Sequence, residues 1–255
     1  MAEPDSRDGA RASSLVSSNE GACRSSVVLR SEGGRFTPKI DDVIQEYTMR
    51  LYVNGELRRA FTCSPWDVEE LVTGSLFCEG AIERAEDMLS LDVDMLEGVA
   101  RAEVAPRVGE AADRAVDTMR PSLTSSLVSE RMALLESGSR LFHRTGGVHS
   151  AALAGEDGIE AWFEDIGRHS ALDKLVGWCV MGGIDVSDKM LLFSGRVPHE
   201  IIAKAARLGL PVVVSPGAPT SLSIRVARES GITLIGFAKN GRFNVYTHPE
   251  RFDAL

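Results

Sequence analysis

The last third of the chain limits the fold most tightly. Met190–Phe193, Pro211–Val214 and Ile232–Phe237 are short apolar runs, each of strand length. Between them lie two helical segments, Pro198–Leu208 and Ser221–Ser230, closed by Gly209 and Gly231. Glycine just past a helix end supplies the left-handed backbone that stops the helix. Strand, helix, strand, helix, strand at this spacing predicts right-handed crossovers and a parallel sheet.

The middle of the chain adds antiparallel pieces. Met49, Leu51 and Val53 alternate with polar neighbours, Asn54-Gly55 follows, and Leu57 to Thr62 makes a second run. Asn-Gly between two alternating runs is a strong hairpin signal, because both residues accept positive φ. Ser64-Pro65-Trp66-Asp67 then opens a helix, with Ser64 as N-cap, Pro65 at N1 and Asp67 in the first turn. Val68, Leu71, Val72, Ser75 and Leu76 form its buried stripe, and Gly80 stops it. Residues 88–106 read as one or two strands, and 107–125 carry little pattern. A short helix is predicted from Ser129 to Ser137, ended by Gly138. A second hairpin is predicted from Val148–Ala154 and Ile159–Phe163 around Asp157-Gly158, then a helix from Ser170 to Met181 before Gly182-Gly183. The full sheet is therefore expected to be mixed.

Composition sets outer bounds. The 255 residues are 44% apolar, enough to bury a core and to exclude general disorder. Residues 1–40 hold eight Ser and one aromatic, Phe36, and read as a disordered tail, with order expected to begin near Ile44. A hairpin and helix region over 41–140 and an α/β region over 141–255 complete the expected organisation. Lys and Arg number 28 against 37 Asp and Glu, a net charge of −9. That balance argues against general nucleic-acid binding, which needs cations for phosphates. No apolar run reaches the length of a membrane span and no secretory signal is present, so no membrane association is expected. The cysteines at 23, 63, 78 and 179 form no Cys-x-x-Cys pair, and reduced thiols in a cytoplasmic protein are the expectation.

Ligands of open α/β sheets bind beyond the carboxyl ends of the strands. The loops expected there are Ser194-Gly195-Arg196, Ser215-Pro216-Gly217-Ala218-Pro219-Thr220 and Ala238-Lys239-Asn240-Gly241-Arg242. Each has a small residue that lets backbone approach a ligand, and two carry cations. Thr220 stands at a helix start, where free amides favour an anion. Upstream, Thr145-Gly146-Gly147-Val148-His149 and Glu164-Asp165-Ile166-Gly167-Arg168-His169 are two further candidates. Asp165 and His169 fit an acid/base pair acting on a nucleotide-like substrate, or Arg168 and His169 a phosphate clamp; capping and simple turns are the competing structural roles. No residue is assigned a catalytic role. A zinc nucleobase deaminase needs His-x-Glu and Pro-Cys-x-x-Cys. His149-Ser150-Ala151 lacks the Glu, so zinc chemistry is not expected. A P-loop and a GxGxxG fingerprint are also missing.

Five strings carry a resemblance: LYVNGELRRAFTCSPWDVEELVTGSLFCEGAI, FHRTGGVHSAAL, EDIGRHSALDKLVG, SGRVPHEIIAKAARLGLPVVVSPGAPTSLSI and TLIGFAKNGRFNVYTHPER. Together, over about residues 44 to 252, the chain resembles the FdhD/NarQ family of formate dehydrogenase accessory proteins. The resemblance implies a three-layer α/β/α, cytidine-deaminase-like mixed sheet without zinc. It also implies a homodimer that takes sulfur as a persulfide from a cysteine desulfurase. That sulfur passes to the molybdenum cofactor, Mo-bis(molybdopterin guanine dinucleotide), before the cofactor enters formate dehydrogenase. The cofactor-contacting segment of the family matches Phe237-Ala238-Lys239-Asn240-Gly241-Arg242. Lys239 and Arg242 would face the pyrophosphates. From the loop reading above, and not from the resemblance, Arg168, His169, Ser194, Gly195, Arg196 and Thr220 are the candidates for additional ligand contacts. One motif departs. Family members commonly carry a Cys-Gly-x-Cys-Gly loop whose first Cys is the persulfide carrier, whereas Asp117 to Ser126 here has no cysteine. A sulfur relay needs a thiolate. The alternative implied is a cofactor-binding and delivery module without persulfide chemistry.

Overall fold

A computed structural model describes residues 21–106 and 121–253. It begins with β1 (Cys23–Glu32) and β2 (Arg35–Ile44), then β3 (Tyr47–Val53), β4 (Glu56–Cys63) and α1 (Val68–Cys78). β5 (Met88–Asp94), β6 (Val99–Val104), α2 (Ser125–Gly138) and α3 (Arg140–Thr145) follow. The C-terminal half holds β7 (His149–Ala154), β8 (Ile159–Asp165), α4 (Arg168–Gly182), β9 (Met190–Phe193) and α5 (His199–Leu208). It closes with β10 (Val212–Val214), α6 (Ser221–Glu229), β11 (Thr233–Lys239) and β12 (Arg242–Val245).

The main sheet has six strands in the order β12-β11-β10-β9-β7-β8. β9, β10 and β11 are parallel, while β7, β8 and β12 pair antiparallel, so the expected mixed sheet is present. Consecutive residues of β9 show why it is buried on both faces. Leu191 and Phe193 enter one core with Leu71 of α1, Leu175 of α4, Ile201 of α5 and Ala227 of α6. Met190 and Leu192 enter the opposite core with Val128, Met132 and Leu135 of α2. Helices thus cover both faces of a central sheet, which is the α/β/α layering. A strand with period-2 side chains and helices on both sides must be apolar throughout.

A second sheet, β4-β3-β6-β5, packs its Met49, Leu51, Phe61, Ala100 and Ala102 into the first core. The hairpin at 54–55 forms as expected, with Asn54 and Gly55 at φ 50° and 80°. It is half of a larger unit, because β6 pairs parallel to β3. Residues 88–106 form two strands.

Three expectations are corrected. The expected tail does not extend to residue 40: β1 and β2 pair from Cys23↔Ile44 to Glu32↔Arg35. Val27, Val28 and Leu29 are good strand residues, and Gly33-Gly34 take positive φ in the turn. Ala22, Leu141 and Val148 form a small buried cluster at the base of this hairpin, with Cys23 and Ile44 packed against it. Residues 1–20 of the expected tail lie outside the described residues. Ser64 does not cap α1, whose N-cap is Asp67 at φ 51°. Ser64 is instead drawn into tertiary bonds: its N–H donates to Asp165 Oδ2 at 2.9 Å, and its hydroxyl accepts from Ile166 N at 3.2 Å. Finally, α2 starts before Ser129, at Ser125, where Thr124 Oγ1 accepts from Leu127 N at 3.1 Å. The Ser125-Ser126 pair, weakly helical by propensity, hides that start.

Candidate functional site at the sheet edge

The carboxyl ends of β9, β10 and β11 come together as the strand pattern requires, and their loops are bonded to one another. Ser215 Oγ donates to the Gly195 carbonyl at 2.5 Å and accepts from Gly217 N at 2.9 Å. Phe237 N donates to the Gly217 carbonyl at 3.2 Å, and Ala238 N to the Ser215 carbonyl at 3.0 Å. Gly217 is required by space: a Cβ there would stand 2.7 Å from the Gly195 carbonyl oxygen and 2.8 Å from Arg196 Cα. Three loops spread between residues 194 and 242 therefore make one continuous rim.

Because β7 pairs antiparallel with both β9 and β8, the start of β7 and the end of β8 reach this same rim. His149 is paired with Asp165, and a Cβ at Gly195 would stand 3.5 Å from His149 Nδ1. Ser194 ties β9 to β7, accepting from Ser150 N through its hydroxyl at 2.8 Å. The start of α4, Arg168-His169, follows directly.

The segment 237–242 differs from the expected open loop. β11 continues past Phe237 to Lys239, through an irregularity in its pairing with β12, and Asn240-Gly241 forms a tight turn at φ 54° and 71°. The Asn-Gly signal that marks residues 54–55 is present at 240–241 as well, so this turn was readable. Phe237 has φ 53° and is 51% exposed, an unusual state for an aromatic residue. Ala238 is buried. Lys239 and Arg242 are partners across the turn, both exposed, and Lys239 Nζ lies 3.6 Å from Glu136 Oε1 of α2. Arg196 is also exposed. Thr220 behaves differently from its expected ligand role: its hydroxyl accepts from Ser223 N at 3.1 Å and caps α6.

The expected Asp165–His169 acid/base pair is corrected. Asp165 and Lys174 are both fully buried, with Lys174 Nζ 2.8 Å from Asp165 Oδ2. The other Asp165 oxygen accepts from Gly167 N at 2.8 Å. A carboxylate so fully engaged orients the backbone ahead of α4 rather than moving protons. Sequence reading missed this role because Lys174 is nine residues away and gives no local cue. His149 and His169 are both held below the usual imidazole range, chiefly by burial. The next influence on His149 is the Arg168 guanidinium, and on His169 the Lys204 ammonium.

Burial also decides the cysteines. The Cys63 and Cys179 thiols are pushed up to about 12, in both cases mainly by burial. Cys78 is pushed well above its usual range by burial and by the Asp173 carboxylate, to which its thiol is hydrogen-bonded. These three are protonated, packed thiols at neutral pH. Cys23 stands half-buried at the base of the first hairpin. Among the described residues no group of three His, Cys, Asp or Glu is placed to hold a metal ion, and no helix is long and apolar enough to cross a membrane.

A cavity of about 680 Å³ lies at the opposite end of the sheet, beside Met190. Glu130, Glu156, Asp188 and Asp253 line it, and its Arg131 donates to the Gly155 and Glu156 carbonyls. Four carboxylates make it a poor seat for a polyanion. The charge of the rim points the other way.

The FdhD/NarQ family model matches residues 44–125 and 108–253. The chain belongs to the FdhD/NarQ family. Sulfur carrier protein FdhD of Staphylococcus haemolyticus is 36% identical over 261 residues, covering 92% of this chain and 99% of that protein. The protein of the same name from Staphylococcus aureus strain MRSA252 is 37% identical over 251 residues, covering 88% and 94%. A crystal structure described as a formate dehydrogenase accessory protein, from Desulfotalea psychrophila, superposes with a TM-score of 0.79 at 25% identity, covering 91% of this chain and 99% of that one. In this FdhD/NarQ chain the cysteine-free stretch 117–126 lies outside the described residues up to position 120. Its described end, Pro121 to Ser126, leads into α2.

Proposed function

We propose that this FdhD/NarQ chain is an accessory factor for formate dehydrogenase that holds Mo-bis(molybdopterin guanine dinucleotide) on the rim of its main sheet. The observation that carries this reading is the bonding of loops 194–196, 215–220 and 237–242 into one rim. That rim exposes Arg196, Lys239 and Arg242 in a protein of net charge −9. Cations gathered at one edge of an acidic chain suit a polyanionic ligand. Phe237, exposed on a turn of positive φ, offers a flat face for stacking a guanine or pterin ring. The cofactor is cargo here: the chain's residues bind it, shield it and release it to the dehydrogenase, and the protein works as a homodimer.

Titration calorimetry with GDP, a fragment of the dinucleotide, tests this. Lys239→Ala/Arg242→Ala is expected to weaken GDP binding roughly tenfold, in line with the loss of charge-assisted contacts. Unchanged affinity would place the pocket elsewhere.

Sulfur transfer from a cysteine desulfurase to the bound cofactor is the second part of the reading, and the curated relatives' name, sulfur carrier protein, favours it. Burial holds the Cys63, Cys78 and Cys179 thiols protonated, which favours half-buried Cys23 as the thiol to test. Loading with a desulfurase and cysteine, followed by peptide mass mapping, should show a reductant-labile sulfur on Cys23. If no cysteine gains sulfur, the chain holds and delivers the cofactor without carrying sulfur.

A further inference from the structure

β1 and β2 form a two-stranded ribbon that belongs to neither larger sheet, and its packed part is its base. Directly opposed residues of an antiparallel pair share a face. The pairs Val27↔Ile40, Leu29↔Pro38 and Ser31↔Phe36 therefore make one side of the ribbon apolar, and Val27, Leu29, Phe36 and Ile40 are 67–78% exposed. The other side carries Arg24, Arg30, Glu32, Arg35, Lys39 and Asp41. A lone two-stranded ribbon is marginal in water, and a contiguous exposed apolar patch marks a surface that binds another chain. Among the described residues both outer edges of the ribbon are open as well. The two edges are not equivalent. The two-residue Gly33-Gly34 turn makes Glu32↔Arg35 the hydrogen-bonded closing pair, so Ser25, Val27, Leu29 and Ser31 turn their backbone N–H and C=O groups outward on β1. Pro38 takes the matching outward position on β2 and has no N–H to give, which blunts that edge. β1 is left as the edge able to pair.

We infer that β1 pairs antiparallel with β1 of a second copy across a two-fold axis at Val28, joining the two ribbons into one four-stranded sheet. The inference rests on the homodimer reading above and gives that dimer its contact. Residues 1–20 hold Met1, Leu15 and Val16 as their large apolar residues, too few to cover the ribbon from within the chain. Parity and charge fix the register. Outward-facing residues must oppose outward-facing residues, so the axis can stand at Val27, Val28 or Leu29. At Val27 it sets Arg24 against Arg30 of the second copy, and like charges across a ladder repel. At Leu29 it forms no ion pair and shortens the ladder. At Val28 it sets Arg24 against Glu32 of the second copy, twice by symmetry, and Val27 against Leu29 on the apolar side. Glu32 is exposed and also lies 3.6 Å from Arg30 of its own strand. In this arrangement the tip of each ribbon lies beside the base of the other. The apolar side is the one on which each base meets its own body, through Cys23 and Ile44 against Leu141 and Val148, and through Asp42 bonded to Arg144 at 2.7 Å. The exposed Leu29 and Phe36 of one ribbon are thereby brought to the side where the second body stands.

The test is sedimentation velocity and oxidative cross-linking of the full chain. The wild type is expected to sediment as a dimer. Val28→Cys should link to its own copy under copper phenanthroline, because a non-hydrogen-bonded pair sets opposed Cα atoms about 4.5 Å apart, within the span of a disulfide. Ser26→Cys and Arg30→Cys should link when the two proteins are mixed and not when each is alone, since these positions oppose one another. Wild-type protein oxidised in parallel accounts for Cys23. Arg24→Glu should weaken the dimer roughly tenfold, by turning two attractive pairs into two repulsive ones, and Arg24→Glu/Glu32→Arg should restore it. Arg24 and Glu32 are exposed and stand outside both large cores, so these variants should fold as the wild type does, which circular dichroism checks. A dimer that Arg24→Glu leaves unchanged, and in which neither Val28→Cys nor the mixed pair links, would overturn the ribbon contact and leave the homodimer reading standing. A wild type that stays monomeric at high micromolar concentration would overturn both, while the GDP titration tests the rim independently.

Discussion

Replacing Gly177 by Ala is expected to leave little folded protein. A Cβ at this position would stand 1.9 Å from the Glu70 carbonyl oxygen and 2.7 Å from its carbon. The reciprocal position is equally closed: a Cβ at Gly74 would lie 1.8 Å from the Asp173 carbonyl oxygen. α1 and α4 therefore meet backbone to backbone at two glycines, and no side chain can swing aside to make room. Overpacking a core by a methyl or methylene group generally costs about 1–3 kcal/mol when side chains can yield. Here backbone must move, and a loss above about 3 kcal/mol is expected against a total stability of roughly 5–15 kcal/mol. Soluble yield and thermal midpoint measure this. Gly74→Ala should behave alike, and a Gly177→Ala protein melting within two or three degrees of the wild type would contradict the described helix crossing.

Lys174→Met is the second large effect. It removes one partner of a fully buried ion pair, leaving Asp165 charged in the core or forcing it to take up a proton. Lys174 Nζ also stands 5.1 Å from the centre of the Trp66 ring and donates to the Glu164 carbonyl at 3.3 Å, so its loss uncouples the segment before α1 from β8. Breaking such a pair from one side costs about 3–5 kcal/mol. Urea denaturation should show a loss of this size in Lys174→Met, and part of it should return in Lys174→Met/Asp165→Asn, where no unpaired charge is left buried. A loss below about 1 kcal/mol would mean that Asp165 reaches solvent.

Local chemistry was legible where period and punctuation agree. Met190–Phe193 forms a strand at its expected bounds, and α5 ends at Gly209 in left-handed backbone, because buried strands and glycine stops depend on neighbours a few residues away. The loops Ser194–Arg196 and Ser215–Thr220 were readable as one edge for the same reason. What the pattern hides is tertiary. Ser64 has every local mark of an N-cap but spends its groups on Asp165 and Ile166, about a hundred positions away. Gly74 and Gly177 appear in the sequence as weak points of two helices, worth about 1 kcal/mol against alanine, and only the crossing explains them. Ser-rich composition suggested a tail through residue 40, yet the Gly33-Gly34 turn and the Val27–Leu29 run outweigh it once the base of the hairpin is packed. At the site, Lys239 and Arg242 were found from their type and position. Arg168 was named from its type beside His169 at a helix start, and only the structure shows its Nε buried without a hydrogen-bond partner.

Amide hydrogen exchange with and without GDP tests most directly whether the rim holds the nucleotide. GDP should slow exchange in 194–196, 215–217, 237–242 and the first turn of α4, and leave 121–131 and 188–190 unchanged. Protection centred instead on those last two stretches, around the acidic cavity beside Met190, would contradict the account.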